Sequence, residues 1–127
     1  MAESVKHFLR HFPIEEMNEG DAFITNDPWM GTGHLNDFVI TTPCFRNGKA
    51  VALFSCTSHL TDIGGMGSGV DATDVHMEGL YVPILKLVDA GVMNETLLAI
   101  IKQNTRQPVT FRRKSMEPSW VARRGSA

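Results

Sequence analysis

Val5, Phe8, Leu9 and Phe12 recur at i, i+3, i+4 and i+7, which lines four apolar side chains along one face of a helix. Ser4 is suited to cap its start and Pro13 to stop it. Beyond that helix the pattern becomes that of extended chain. Ala22 to Thr25 reads as a short strand, "FVITTPCF" (38–45) as a second and "AVALFSCTSHL" (50–60) as a third. Asn47-Gly48 between the last two calls for a two-residue type I′ turn, so they form a hairpin. Pro43 cannot donate to a ladder, which implies an edge or a break at that point. "GLYVPILKLV" (79–88) is mostly extended, with Pro83 at an edge or bend. Asn94 then caps a helix that turns Leu97, Leu98, Ile100 and Ile101 inward and ends before Pro108. Two glycine-rich loops, "NDPWMGTGHLND" (26–37) and "TDIGGMGSGVDATD" (61–74), separate these elements. The expected class is α+β: a mixed sheet centred on the β-hairpin, with flanking helices.

Composition narrows the setting. The chain has 127 residues, one-domain length, with 43% apolar and 20% charged side chains, as in ordinary globular proteins. No stretch approaches the roughly 18 apolar residues that a membrane span needs. The first helix is broken by Glu3, Lys6, His7 and Arg10 and does not resemble a secretory leader. Cys44 and Cys56 supply neither a disulfide framework nor a C-x-x-C motif and read as strand-borne apolar residues. A cytoplasmic protein without a membrane partner is expected. Charge is uneven. Residues 109–127 hold five basic side chains against one acidic, leaving seven basic and thirteen acidic in residues 1–108. The basic stretch lacks interleaved aromatics beyond Phe111 and Trp120, so no nucleic-acid partner is expected. It reads as a separate tail, disordered or arising from a frameshift, attached to a partial domain over 1–108.

The candidate chemistry lies where loops meet strands. His34 and Asp37 are three apart after Gly31 and Gly33, and His59 ends the return strand. A two-residue turn at Asn47-Gly48 makes paired residue numbers sum to 95, which sets Ser55 across from Ile40, Thr57 across from Phe38 and His59 across from Asn36. His59 is thereby expected beside the "HLND" segment. Alternation then puts His34, Asn36 and His59 on one face, and Asp37 joins them only through a loop or bulge. Two imidazoles and a carboxylate suit a divalent ion of the Zn, Mn or Fe(II) kind. The same residues could instead cap strand ends. Asp62 and Asn36 are candidates for orienting an imidazole. His7 and His11 alternate with Lys6 and Arg10, as on a solvated face, and Asp71, Asp74 and Glu78 around His76 read as a solvated turn. Neither glycine loop fits a phosphate-binding pattern, so close backbone approach to the site is the expected reason for the glycines.

The ordered blocks "TNDPW", "TGHLND", "H-x-x-DIGG" and "EGL-x-x-P" resemble the hydantoinase B/oxoprolinase family over about residues 1 to 108. That family includes the B subunit of ATP-dependent N-methylhydantoinases, the C-terminal half of 5-oxoprolinase and the alpha subunit of acetone carboxylase. The resemblance implies a divalent metal held by His34, Asp37 and His59, and leaves the catalytic residues unassigned. It implies an A-type ATPase subunit as partner, which consumes ATP and passes an activated small-molecule substrate to the B-type chain in a hetero-oligomer. Hydrolysis of cyclic amides such as hydantoins and 5-oxoproline is the first expectation. Carboxylation of acetone or an aromatic ketone is the second, and an inactive truncated remnant the third. Family chains are several times longer, so the resemblance also implies a fragment of a larger hydantoinase B fold that is inactive by itself.

Overall fold

A computed structural model describes residues 2–67 and 71–106. The elements are α1 (Ala2–His11), β1 (Ala22–Thr25), β2 (Asp37–Arg46), β3 (Lys49–His59), the short α2 (Val75–Glu78), β4 (Leu85–Asp89), β5 (Val92–Met93) and α3 (Glu95–Asn104). The strands form one sheet in the order β3-β2-β1-β4-β5, antiparallel at every pair. The α+β architecture matches expectation. The 109–127 tail lies outside the described residues.

Alternation along β1 and β2 explains why both faces of the sheet are covered. Phe23 and Val39 point to one face, where they bury against Phe8 of α1 and are flanked by Phe12 and Leu9. Phe23 and Phe12 rings lie 4.7 Å apart. Ile24, Phe38 and Ile40 point to the other face and join Leu97, Leu98 and Ile101 of α3. Burying a side chain of this size contributes about 1.5–3 kcal/mol, so the two faces hold the sheet from both sides.

Two sequence expectations are refined. Ile100 is exposed rather than inward. Residues 97, 98 and 101 define the buried stripe of α3, and position 100 falls about 100° from its centre at 3.6 residues per turn. Pro43 lies in the buried middle of β2, yet β1 pairs only as far as Thr41. The proline sits where β2 outruns that neighbour, so no ladder bond to β1 is lost. Asn94 caps α3 as expected, its side chain accepting from the Leu97 amide at 3.0 Å.

Candidate metal centre

The register of the hairpin decides the site. Arg46 pairs with Lys49 and Phe45 with Ala50, the pairing set by the turn, where Asn47 has φ 51° and Gly48 φ 75°. Between Cys44 and Phe45 the register shifts: Cys44 faces Ala52, leaving Val51 as one extra residue on β3. Every later pair is displaced by one, and His59 ends opposite Asp37 instead of Asn36. The expected sum of 95 therefore holds only for the last two pairs before the turn. The bulge that Asp37 required is present, but on the partner strand and far from the site.

With this register Asp37 and His59 share a face, the one on which Val39 and α1 pack. His59 Nδ1 lies 2.8 Å from Asp37 Oδ1. The second carboxylate oxygen accepts from the Thr32 hydroxyl at 2.8 Å. The His59 side chain is 64% exposed and that of Asp37 18%, so the pair opens to solvent on the imidazole side. Burial opposes ionisation of Asp37. Hydrogen bonds from His59 and Thr32, together with the charges of His59 and His34, outweigh it and hold the carboxyl below its ordinary value.

His34 sits on the exposed loop just before β2, and its carbonyl accepts from the Asp37 amide at 3.1 Å. Its backbone is thus tied to that of Asp37, and its charge acts on the carboxylate. Among the described residues no three His, Cys, Asp or Glu side chains converge as a ligand set. Asp37 and His59 meet in a hydrogen bond, and the pair offers one oxygen and one nitrogen of the kinds that a divalent ion takes.

The accessory candidates, Asn36 and Asp62, make bonds of their own. Asn36 is buried, donates from Nδ2 to the Leu60 carbonyl at 2.7 Å, and bonds neither histidine; its Oδ1 has no partner among the described residues. The Leu60 amide bonds the Asn36 carbonyl at 2.8 Å, so Asn36 closes the hairpin end rather than aiming a ring. Its inward orientation follows from the register: next to Asp37, it faces the opposite way. Asp62 accepts from the Gly64 amide at 3.1 Å and from Arg106 Nη1 at 3.1 Å, which ties the second loop to the end of α3.

Two glycines of that second loop, Gly64 and Gly65, serve packing. A Cβ at Gly64, where φ is +78°, would collide with the Asn104 carbonyl at the end of α3. Close approach is the right reason for this glycine, but the approaching group is the protein's own helix.

Residues that the pattern did not mark build the first loop. Asn26 is fully buried and makes three side-chain bonds, to the Leu35 and Leu80 carbonyls and the Val82 amide. Asp27 accepts from the Trp29 and Met30 amides through Oδ1 and from the Tyr81 hydroxyl, 2.6 Å away, through Oδ2. Burial, then this bond and the Asp27 charge, push the Tyr81 hydroxyl up to about 12. Asn-Asp-Pro signals a turn, but partners 54 to 56 residues away leave no local trace. The loop presents Trp29 at 74% exposure.

A profile of the hydantoinase B/oxoprolinase family matches residues 1–113. The beta subunit of caprolactamase from Pseudomonas jessenii is 36% identical over 95 residues, 72% of this chain and 16% of that one. The crystal structure of ATP-dependent caprolactamase from the same organism superposes with a TM-score of 0.79 at 32% identity, covering 94% of this chain and 22% of the other. The 5-oxoprolinase 1 of Arabidopsis thaliana is 34% identical over 98 residues, 75% of this chain and 8% of that protein. A nucleotide-free acetone carboxylase structure shares the fold, with a TM-score of 0.72 at 20% identity over 95% of this chain and 16% of the other. The chain spans a fifth or less of the curated relatives it matches. With its motif blocks, its fold and its family profile in agreement, the chain belongs to the hydantoinase B/oxoprolinase family.

Proposed function

We propose that this chain carries part of the metal site of a hydantoinase B/oxoprolinase-type hydrolase that opens cyclic amides. It would do so with an ATP-using A-type subunit. The observation that carries the reading is the 2.8 Å approach of His59 Nδ1 to Asp37 Oδ1 across the hairpin. His34, Asp37 and His59 would hold a divalent ion such as Mn, Zn or Fe, which when bound supplies Lewis-acid polarisation of an amide oxygen or activation of a water. The chain's own contribution is placement. Asp37 brings a carboxylate kept ionised by its neighbours, His59 brings an exposed imidazole, and the backbone bond from Asp37 to His34 ties the third candidate to the same loop end. The likeness to an ATP-dependent caprolactamase supports amide chemistry linked to ATP, and a relative named as a beta subunit supports a hetero-oligomer. The acetone carboxylase likeness supports the fold alone.

Metal analysis of the purified chain tests the site. About one Mn or Zn per chain is expected, with loss in His59→Ala; unchanged stoichiometry in that variant would overturn the assignment. A substrate panel tests the chemistry. Hydantoins, 5-oxoproline and a lactam, given ATP and an A-type subunit, should be hydrolysed without bicarbonate. Turnover only of ketones with bicarbonate would move the protein to the carboxylases.

A further inference from the structure

A carboxylate that works beside an imidazole has to present one chosen oxygen. It can rotate about its last bond, so either oxygen can face the neighbour unless something holds the other. At Asp37 that something is Thr32. Its hydroxyl donates to Oδ2 at 2.8 Å while Oδ1 faces His59 Nδ1 at the same distance. The two bonds engage the two oxygens separately.

The loop that delivers Thr32 is built for this position. The Asp27 carboxylate caps the Trp29 and Met30 amides, and the Gly31 amide bonds the Asp27 carbonyl at 2.8 Å, closing a tight turn. Ser4 of α1 donates to the Gly31 carbonyl at 3.3 Å and ties the turn to the helix. Gly31 lies against the sheet: a Cβ there would meet the Asp27 carbonyl oxygen at 2.9 Å and the Val39 side chain at 3.4 Å. Val39 projects from the same face of β2 as Asp37, two residues on. The turn therefore rests on the face that carries the carboxylate, and the next residue, Thr32, reaches it.

We propose that Thr32 is a positioning residue of this centre: its hydroxyl locks Asp37 Oδ2 and leaves Oδ1 as the single carboxylate oxygen that faces His59. The functional half of this inference rests on the metal reading above; the structural half rests on geometry alone. Hydrogen bonds that orient a ligand typically change metal affinity by about 10–100-fold when removed.

The test compares Thr32→Val, which keeps the shape and removes the hydroxyl, with Thr32→Ser, which restores it. Affinity for Mn or Zn is measured by competition with a chelating dye. Thr32→Val should weaken binding by about 10–100-fold at an unchanged melting temperature, and Thr32→Ser should recover it. Wild-type affinity in Thr32→Val would overturn the proposal. If the wild-type chain itself binds neither ion, the metal reading fails, and the structural half is judged on metal-free protein by the ¹⁵N shifts of the His59 ring. Removing the lock should move those shifts in Thr32→Val but not in Thr32→Ser. Identical spectra in all three proteins would overturn it.

Discussion

The chain contains the same four-residue pattern twice, His34-Leu35-Asn36-Asp37 and His59-Leu60-Thr61-Asp62, and folds the two copies to different ends. Both leucines are buried in one core, so both segments are pinned at their second residue. The aspartates then diverge. Asp37 opens β2, and its carboxylate meets His59 and Thr32. Asp62 follows β3 into a loop, and its carboxylate meets the Gly64 amide and Arg106. Spacing alone does not distinguish a candidate ligand from a loop clamp. The distinction comes from what lies across from each aspartate: a histidine on the paired strand for one, the end of a helix for the other.

The sharpest way to break this comparison is to exchange the aspartates' fates by mutation. Asp37→Ala should abolish stoichiometric metal binding, while Asp62→Ala should retain it; a metal content that falls equally in both would erase the difference. Next in size are the shared anchors. Leu35→Ala and Leu60→Ala should each cost about 2–5 kcal/mol in denaturant unfolding, since both vacate the same core. A cost below 1 kcal/mol at either would show that its segment is not pinned there.

The bulge offers a third test. Deleting Val51 removes the one extra residue, so the turn's register runs straight into the register beyond the bulge and Asp37 still faces His59. The expected change in stability is about 0.5–3 kcal/mol, with the cross-strand NMR contact of Asp37 with His59 retained. Contact of His59 with Asn36 instead would mean that Val51 is not the residue that offsets the two strands.

The smallest effect is electrostatic. Burial opposes ionisation of Asp62, but the Gly64 and Arg106 amides and the Arg106 guanidinium overcome this and hold its carboxyl below the ordinary 3.8. A depressed carboxylate contributes stability that is complete above its unfolded value and disappears as pH falls through the folded one. Asp62→Asn should therefore flatten the stability profile below about pH 4. The Arg106 side chain is 70% exposed, so the loss at neutral pH should be only about 1 kcal/mol. An acid limb identical to wild type would show that Asp62 is not held by Arg106.

Much of the fold was legible in local chemistry. The strand at Ala22–Thr25 appears with the boundaries that its apolar run implies, and the Asn47-Gly48 turn and the Asn94 cap do what those residues do elsewhere. Less was legible at the site. Proximity of His59 to the first loop followed from the turn, but its partner did not, because a single inserted residue reverses which side chain faces the site. Asp27 and Tyr81 were missed because their partnership is tertiary: Tyr81 stands 54 residues from Asp27. Thr32 was missed although it lies only five residues from Asp37, because the fold of the loop, not the spacing, aims its hydroxyl. Arg106 was missed because its partner is distant too, 44 positions away at Asp62.

Local sequence was not enough for the short α2 or β5, but it was enough for α1, the hairpin, the helix capped by Asn94, the α+β class, the family and the three residues whose chemistry suits a divalent ion. Those depend on periodicity, turn residues and side-chain type, all of which act over a few positions. Tertiary structure alone decided that Asp37 and His59 share a face, that Asn36 and Asp62 turn to structural bonds, and that the second loop's Gly64 packs against the end of α3. The physical reason is the pleat. A strand offers each residue only two directions, and the packed core chooses between them through a bulge that no local rule announces.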